Sequence, residues 1–306
     1  ITTEKEKLEL QLEYAKNSDV LSASDWFHKG YNFLETEDYS NALTCFLTAV
    51  ELDPKASNTY YNIGFVYDQK GKINNAIKFY KTAIEINPND ASYYNNLGYD
   101  YNEIGEYEEA KKLFQKAIDI NSHVAIFYYN LGTVYAFESN YDKAIDSFQK
   151  AINIDSNYTS AYYNLGIVYA SIEDYANAIS SFQKGVRTNP NDASIYYNLG
   201  LSYKGLNNTN DALIAYKKAV DLNPRYADAH YNIGIIYDDM GEYVPAIKSY
   251  ISAINIDEEY TSAYFNLALA YSKVDEWDKT LKCLKIAARL GHQRSQELLK
   301  SFGKSW

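Results

Sequence analysis

The sequence has almost nothing with which to staple a core covalently or around a metal. Cys45 and Cys283 are its only cysteines and neither has a CxxC partner, which excludes a local disulfide framework and a thiolate metal site. The histidines His28, His123, His230 and His292 show no HExxH or close Cys/His spacing, so no metal is expected. Basic charge is also scarce. A net charge of −11 argues against a duplex nucleic-acid partner, because phosphate binding draws on clustered cations. No run approaches the roughly 20 apolar residues of a membrane span, and no charged stretch followed by an apolar one opens the chain. We therefore expect no membrane insertion and take a reducing, cytoplasmic setting as the default; an upstream segment ahead of Ile1, including a signal peptide, is the alternative.

The charge that is present is uneven. From Ser272 to Trp306 there are eight basic and four acidic side chains, a local balance of +4, which leaves −15 on residues 1–271. The simplest reading of this basic end is a solvated helix terminus. Acidic pairs such as Glu108 with Glu109 read as the solvent side of a helix rather than as paired catalytic carboxylates.

Apolar residues, at 46%, and 33 tyrosines are plentiful, and they recur with a fixed period. A shift of 34 brings Gly30, Gly64, Gly98, Gly132, Gly166, Gly200 and Gly234 into one column without a gap, and Ala268 completes it. Glycines so spaced form neither GxGxxG nor a P-loop and read as packing residues, so no cofactor and no enzymatic activity are expected. With Ala23 as position 1, eight repeats run 23–56, 57–90, 91–124, 125–158, 159–192, 193–226, 227–260 and 261–294.

Each repeat reads as two helices, A and B. At about 100° per residue, positions 4, 7, 8 and 11 share one side of helix A, and positions 20, 24 and 27 form a stripe on helix B. Small residues at 8, 20 and 27 allow close approach, and aromatic residues at 11 and 24 fill the remaining space. Gly71, Gly105 and Gly241 at position 15 supply the backbone freedom that ends helix A. Leu8, Leu12 and Ala15 continue the register backward, so residues 1–22 read as an N-terminal capping helix or the remnant of an upstream repeat. Residues 295–306, with Leu298, Leu299 and Phe302 at helical spacing, read as a C-terminal solvating helix.

The columns are similar to those of the tetratricopeptide repeat. The fifth copy carries most of that pattern in Tyr162, Leu165, Gly166, Tyr169, Ala178 and Phe182, whereas Gly185 departs from it. The last copy departs most, with Ala268, Thr280, Leu284 and His292. The resemblance implies an all-α, right-handed superhelical solenoid of antiparallel helix pairs, with a concave groove that binds a protein or peptide segment. It implies a protein-protein interaction scaffold. The alternatives are the substrate-recognition arm of a larger enzyme, such as a protein glycosyltransferase, and a self-associating homo-oligomer.

Positions 2, 5, 6, 9, 12 and 13 read as the side of helix A opposite the packing stripe, which in the family looks into the groove. Position 6 is asparagine in seven copies, Asn62, Asn96, Asn130, Asn164, Asn198, Asn232 and Asn266. The resemblance implies that this ladder binds the backbone of an extended peptide, since an amide both donates and accepts. Position 5 adds Tyr129, Tyr163, Tyr197 and Tyr231, and position 9 adds Ile167, Leu201 and Ile235, which give the groove an apolar centre. Asp68 with Glu103, and Asp238 with Asp239, stand toward its ends and are expected to select Lys or Arg beside an apolar motif. A carboxylate clamp for acidic chaperone tails is disfavoured, because position 5 carries Tyr or Phe in seven copies and position 9 no Asn.

Overall fold

A computed structural model describes residues 21–305. Among them are 17 helices and no strand, and the capping helix or repeat remnant expected from Leu8, Leu12 and Ala15 lies outside this range. Helices A are α1 (Ala23–Glu35), α3 (Ser57–Gln69), α5 (Ala91–Glu103), α7 (Ala125–Phe137), α9 (Thr159–Ser171), α11 (Ala193–Gly205), α13 (Ala227–Asp239) and α15 (Thr261–Lys273). Helices B are α2 (Tyr39–Leu52), α4 (Ile73–Ile86), α6 (Tyr107–Ile120), α8 (Tyr141–Ile154), α10 (Tyr175–Thr188), α12 (Thr209–Leu222), α14 (Tyr243–Ile256) and α16 (Trp277–Arg289). A final helix, α17, spans Gln293–Ser301.

The chain divides after Ser156 into two compact units, each holding four repeats. Within a unit every helix packs on its neighbours in sequence, so each repeat is stabilised mainly by the next. Local signals start the helices. Ser22 and Asp25 form a capping box on α1, and the Asp90 and Asp192 carboxylates accept from the Ser92 and Ser194 amides to open α5 and α11.

Packing follows the columns. The position-24 rings of Phe46, Tyr80, Phe114, Phe148, Phe182, Tyr216 and Tyr250 are all at most 1% exposed. Each lies over the glycine at position 8 of its own repeat; a Cβ on Gly166 would sit 2.6 Å from the Phe182 ring. The eighth repeat solves the same problem differently, with Ala268 in the glycine column facing a smaller Leu284, both buried. At position 15 every copy adopts a left-handed backbone, although only Gly71, Gly105 and Gly241 are glycine; Glu37, Ser139, Glu173, Asn207 and Asp275 take it with φ of 57–60°.

Two features of helix A differ from the helical-wheel reading. Position 3 (Thr59, Tyr93, Phe127, Ala161, Ile195, Ala229, Ala263) is buried, and so is position 10 (Val66, Asp100, Val134, Val168, Ser202, Ile236, Ala270). Within each unit the cause is a second neighbour: position 3 meets helix B of the preceding repeat, as where a Cβ on Gly185 would lie 3.4 Å from Ile195 Cδ1. In addition, the position-5 ring does not stand opposite the packing stripe. It packs against the position-24 ring of its own repeat, with centroids 5.6–6.0 Å apart for Tyr61–Tyr80, Tyr129–Phe148, Tyr163–Phe182, Tyr197–Tyr216 and Tyr231–Tyr250.

At the end of the second unit, Leu299 of α17 is fully buried against the last repeat and Leu298 partly so. Gln296 Nε2 donates to the Ala288 carbonyl at 2.8 Å, and the His292 ring caps α17 by accepting from the Ser295 amide. Phe302 is exposed and takes no part in that cover.

Candidate peptide-binding surface

The asparagine column is built into the fold. Asn96 Nδ2 donates to the Tyr61 hydroxyl of the preceding repeat at 3.0 Å, and Asn198, Asn232 and Asn266 donate likewise to Tyr163, Tyr197 and Tyr231 at 3.2, 3.3 and 3.0 Å. In α7, Asn130 donates instead to Asn95 Oδ1 at 2.9 Å, a buried contact. Asn62 donates to the Asn58 carbonyl, while Asn164 is half-buried. The asparagines therefore link consecutive repeats, each such bond being worth about 0.5–1.5 kcal/mol.

This geometry sets what the ladder has left to offer. Asn198 and Asn232 also donate to the main-chain carbonyls of Ser194 and Asp228, one turn earlier. A carbonyl only accepts, so the amide orientation is determined and both N–H groups are used. Their Oδ1 atoms, like those of Asn62 and Asn266, accept nothing from the described residues and are not sealed from solvent. The free capacity of these four residues is thus an acceptor, suited to a donor such as a peptide N–H, whereas Asn96 Oδ1 already accepts from the Asn95 amide at 3.1 Å.

The tyrosines are half-buried, and burial is the leading reason the hydroxyl pKa values of Tyr163, Tyr197 and Tyr231 are raised, with Asp192 and Asp228 adding to it for the first two. Ile167 and Ile235 pack partly into the cores beneath them, whereas Leu201 is 38% exposed. Burial, then the neighbouring charge of Asp239, raises the Asp238 pKa, and Lys273 partly offsets this.

The third repeat departs from the others. In the sixth and seventh, the position-5 ring rests on a position-34 tyrosine, Tyr197 on Tyr226 at 4.7 Å and Tyr231 on Tyr260 at 4.9 Å. Asn95 and Val124 hold those columns in the third repeat. Where the ring pair would be, a cavity of about 670 Å³ opens, walled by the Asn87, Asn89, Asn95, Asn96 and Asn121 amides and by Tyr61, Ile120, Val124, Ile126 and Phe127. Sequence reading passed over Asn95 and Asp100 as site residues. The signal lay in comparing columns, since each puts a polar side chain where most other copies are apolar or aromatic.

These columns can be set against known proteins. Tetratricopeptide repeat profiles match residues 57–90, 89–157, 123–188 and 181–214, and a TPR repeat profile matches 30–71, 203–241 and 236–275, covering 30–275 without a gap. The chain belongs to the tetratricopeptide repeat family. No curated protein matches it. Among solved structures, MamA is 31% identical over 54% of this chain and 97% of that one, with a TM-score of 0.51. YrrB, described as a TPR protein with an unusual peptide-binding site, is 29% identical over 60% of this chain and 95% of that one, with a TM-score of 0.54. The C-terminal part of a TPR repeat-containing protein from Cytophaga hutchinsonii covers 79% of this chain and 99% of its own, with a TM-score of 0.68; at 20% identity it supports the fold alone. The tetratricopeptide repeats of this chain make it a protein-interaction scaffold, and no described helix is long and apolar enough to cross a membrane.

Proposed function

We propose that the helix-A side of the array binds an extended protein segment, whose backbone N–H groups donate to the asparagine Oδ1 atoms while its side chains lie against the tyrosine and position-9 residues. The observation that carries this reading is the set of carboxamides at Asn62, Asn198 and Asn232, each oriented by its bond to a main-chain carbonyl and each with an Oδ1 that accepts nothing from the described residues. The amide-walled cavity of the third repeat and the peptide-binding site of YrrB support it. Backbone recognition of this kind grips a segment with little regard to its sequence. Selectivity then comes from departures such as Asn95.

A displayed random-peptide library, followed by calorimetry on the enriched sequence, tests the reading. Replacing Asn198, Asn232 and Asn266 together by Ala removes three acceptors and is expected to weaken binding by about ten- to two-thousandfold, if each contributes about 0.5–1.5 kcal/mol. Those substitutions also break the inter-repeat bonds. The control is Tyr163→Phe with Tyr197→Phe and Tyr231→Phe, which removes the same bonds but keeps the amides and should cost less than about tenfold. Equal losses in the two triple variants would mean that the asparagines act only through the fold.

A further inference from the structure

Asp100 stands in a column that reads Val66, Val134, Val168, Ile236 and Ala270 in five other repeats and Asn32 and Ser202 in the remaining two. It is 1% exposed, and neither carboxyl oxygen has a donor of the chain at hydrogen-bond distance. The buried Tyr80 hydroxyl, whose pKa burial raises most, the nearby Asn96 amide lowers and Asp100 helps to raise, likewise has no partner in hydrogen-bond geometry. So three of the five buried, unpartnered side-chain oxygens among the described residues gather here, between α3, α4 and α5.

The charges around Asp100 all have one sign. Burial, then Asp68 of α3 by its charge and by a contact favouring the protonated form, then Glu103 of α5, push its pKa up to about 8. Among the described residues, no group of α6 or α7 and no lysine or arginine contributes to this shift. Above it, Asp68 is half-buried and Glu103 exposed. The Tyr99 ring, 45% exposed, lies close enough for Glu103, Asp68 and Asp100 all to raise its hydroxyl pKa.

We propose that Asp68, Asp100 and Glu103 form a subsite for one lysine or arginine side chain of the bound segment, with Tyr99 lying over the cation; this rests on the segment-binding reading above. A cationic head supplies the donors that Asp100 lacks, and an aromatic face adds attraction that acids alone do not. An organic cation fits better than a metal ion, because no three carboxylates of the described chain converge closely enough to ligate one. At neutral pH the buried carboxyl carries a proton, and arrival of the cation ionises it. Binding therefore releases about one proton per complex.

The test selects a displayed random-peptide library in parallel on the full chain and on Asp100→Val, which restores the residue of the neighbouring repeats. The full chain should enrich Lys or Arg at one fixed position, and the variant should keep the rest of the motif but lose that preference. In calorimetry, changing this Lys or Arg to Gln should weaken binding at least about tenfold on the full chain and about twofold or less on the variant. A carbon-13 titration of the Asp100 carboxyl should show its midpoint move down when the enriched peptide is bound, and Asp68→Asn with Glu103→Gln should reduce the basic preference while leaving Asp100 in place. Enrichment without a basic position, or a basic preference unchanged in Asp100→Val, overturns the subsite but leaves the groove reading standing. No enrichment at all overturns both. A shift of the carboxyl signal by Ca²⁺ without peptide would assign the site to a metal ion and end the proposal.

Discussion

Replacing Asp100 by Val should stabilise the protein, and the gain should grow with pH. The carboxyl has a reference pKa of 3.8 and is pushed up to about 8 in the fold, first by burial and then by Asp68 and Glu103. A raised carboxyl pKa means that between about pH 4 and pH 8 the native state holds a proton that the unfolded chain has lost, so stability falls as pH rises through this window. At about 1.36 kcal/mol per pH unit, the group costs roughly 3–4 kcal/mol between pH 5 and pH 8. Valine removes that term and fills the space with apolar surface, as Val66, Val134 and Val168 do. We expect Asp100→Val to be about 2–4 kcal/mol more stable at neutral pH and nearly equal to wild type near pH 4. Guanidinium denaturation of both chains across this range, with amide exchange in α5 and α6 to localise the change, measures it. Parallel pH profiles for the two proteins would refute the argument, because they would show that Asp100 is as ionised in the fold as outside it.

Gly166→Ala should destabilise the fifth repeat by about 1–3 kcal/mol, since its Cβ would press on the Phe182 ring; adding Phe182→Leu should recover much of the loss in thermal melting, as the Ala268 and Leu284 pair implies. Tyr216→Phe removes a buried hydroxyl that has no partner, so denaturation should show an unchanged or raised stability, by up to about 1 kcal/mol. Glu173→Gly relieves a left-handed backbone at φ of 60° and should raise stability by about 1 kcal/mol; a lowered melting temperature would point to an unrecognised role for that side chain.

The helix pairs were legible because their determinants repeat. Gly166 under Phe182 is one of seven glycine–ring contacts, and each copy reinforces the others. The surface was less legible for a physical reason. A wheel assumes one packing partner, whereas helix A has helix B of its own repeat and helix B of the preceding one. Position 5 thus rotates onto the position-24 ring, and positions 3 and 10 form a second buried seam. Asp68 and Glu103 could be picked out as charges, but Asp100 beneath them becomes visible only when position 10 is known to be buried. The asparagines were legible as a column. Their bonds to the tyrosines were not, because nothing in one repeat says what the adjacent repeat presents.

Those inter-repeat bonds have a genetic consequence. Asn96, Asn198, Asn232 and Asn266 each meet a hydroxyl 35 positions earlier, one more than the 34-residue period. A duplication or loss of one whole repeat presents the next asparagine with another tyrosine and leaves the joint intact, whereas any other insertion within that span moves donor and acceptor apart. Such an array can lengthen or shorten only in whole-repeat steps at little cost, and a specialised copy such as the third can persist, with its own chemistry, among neighbours that are free to multiply.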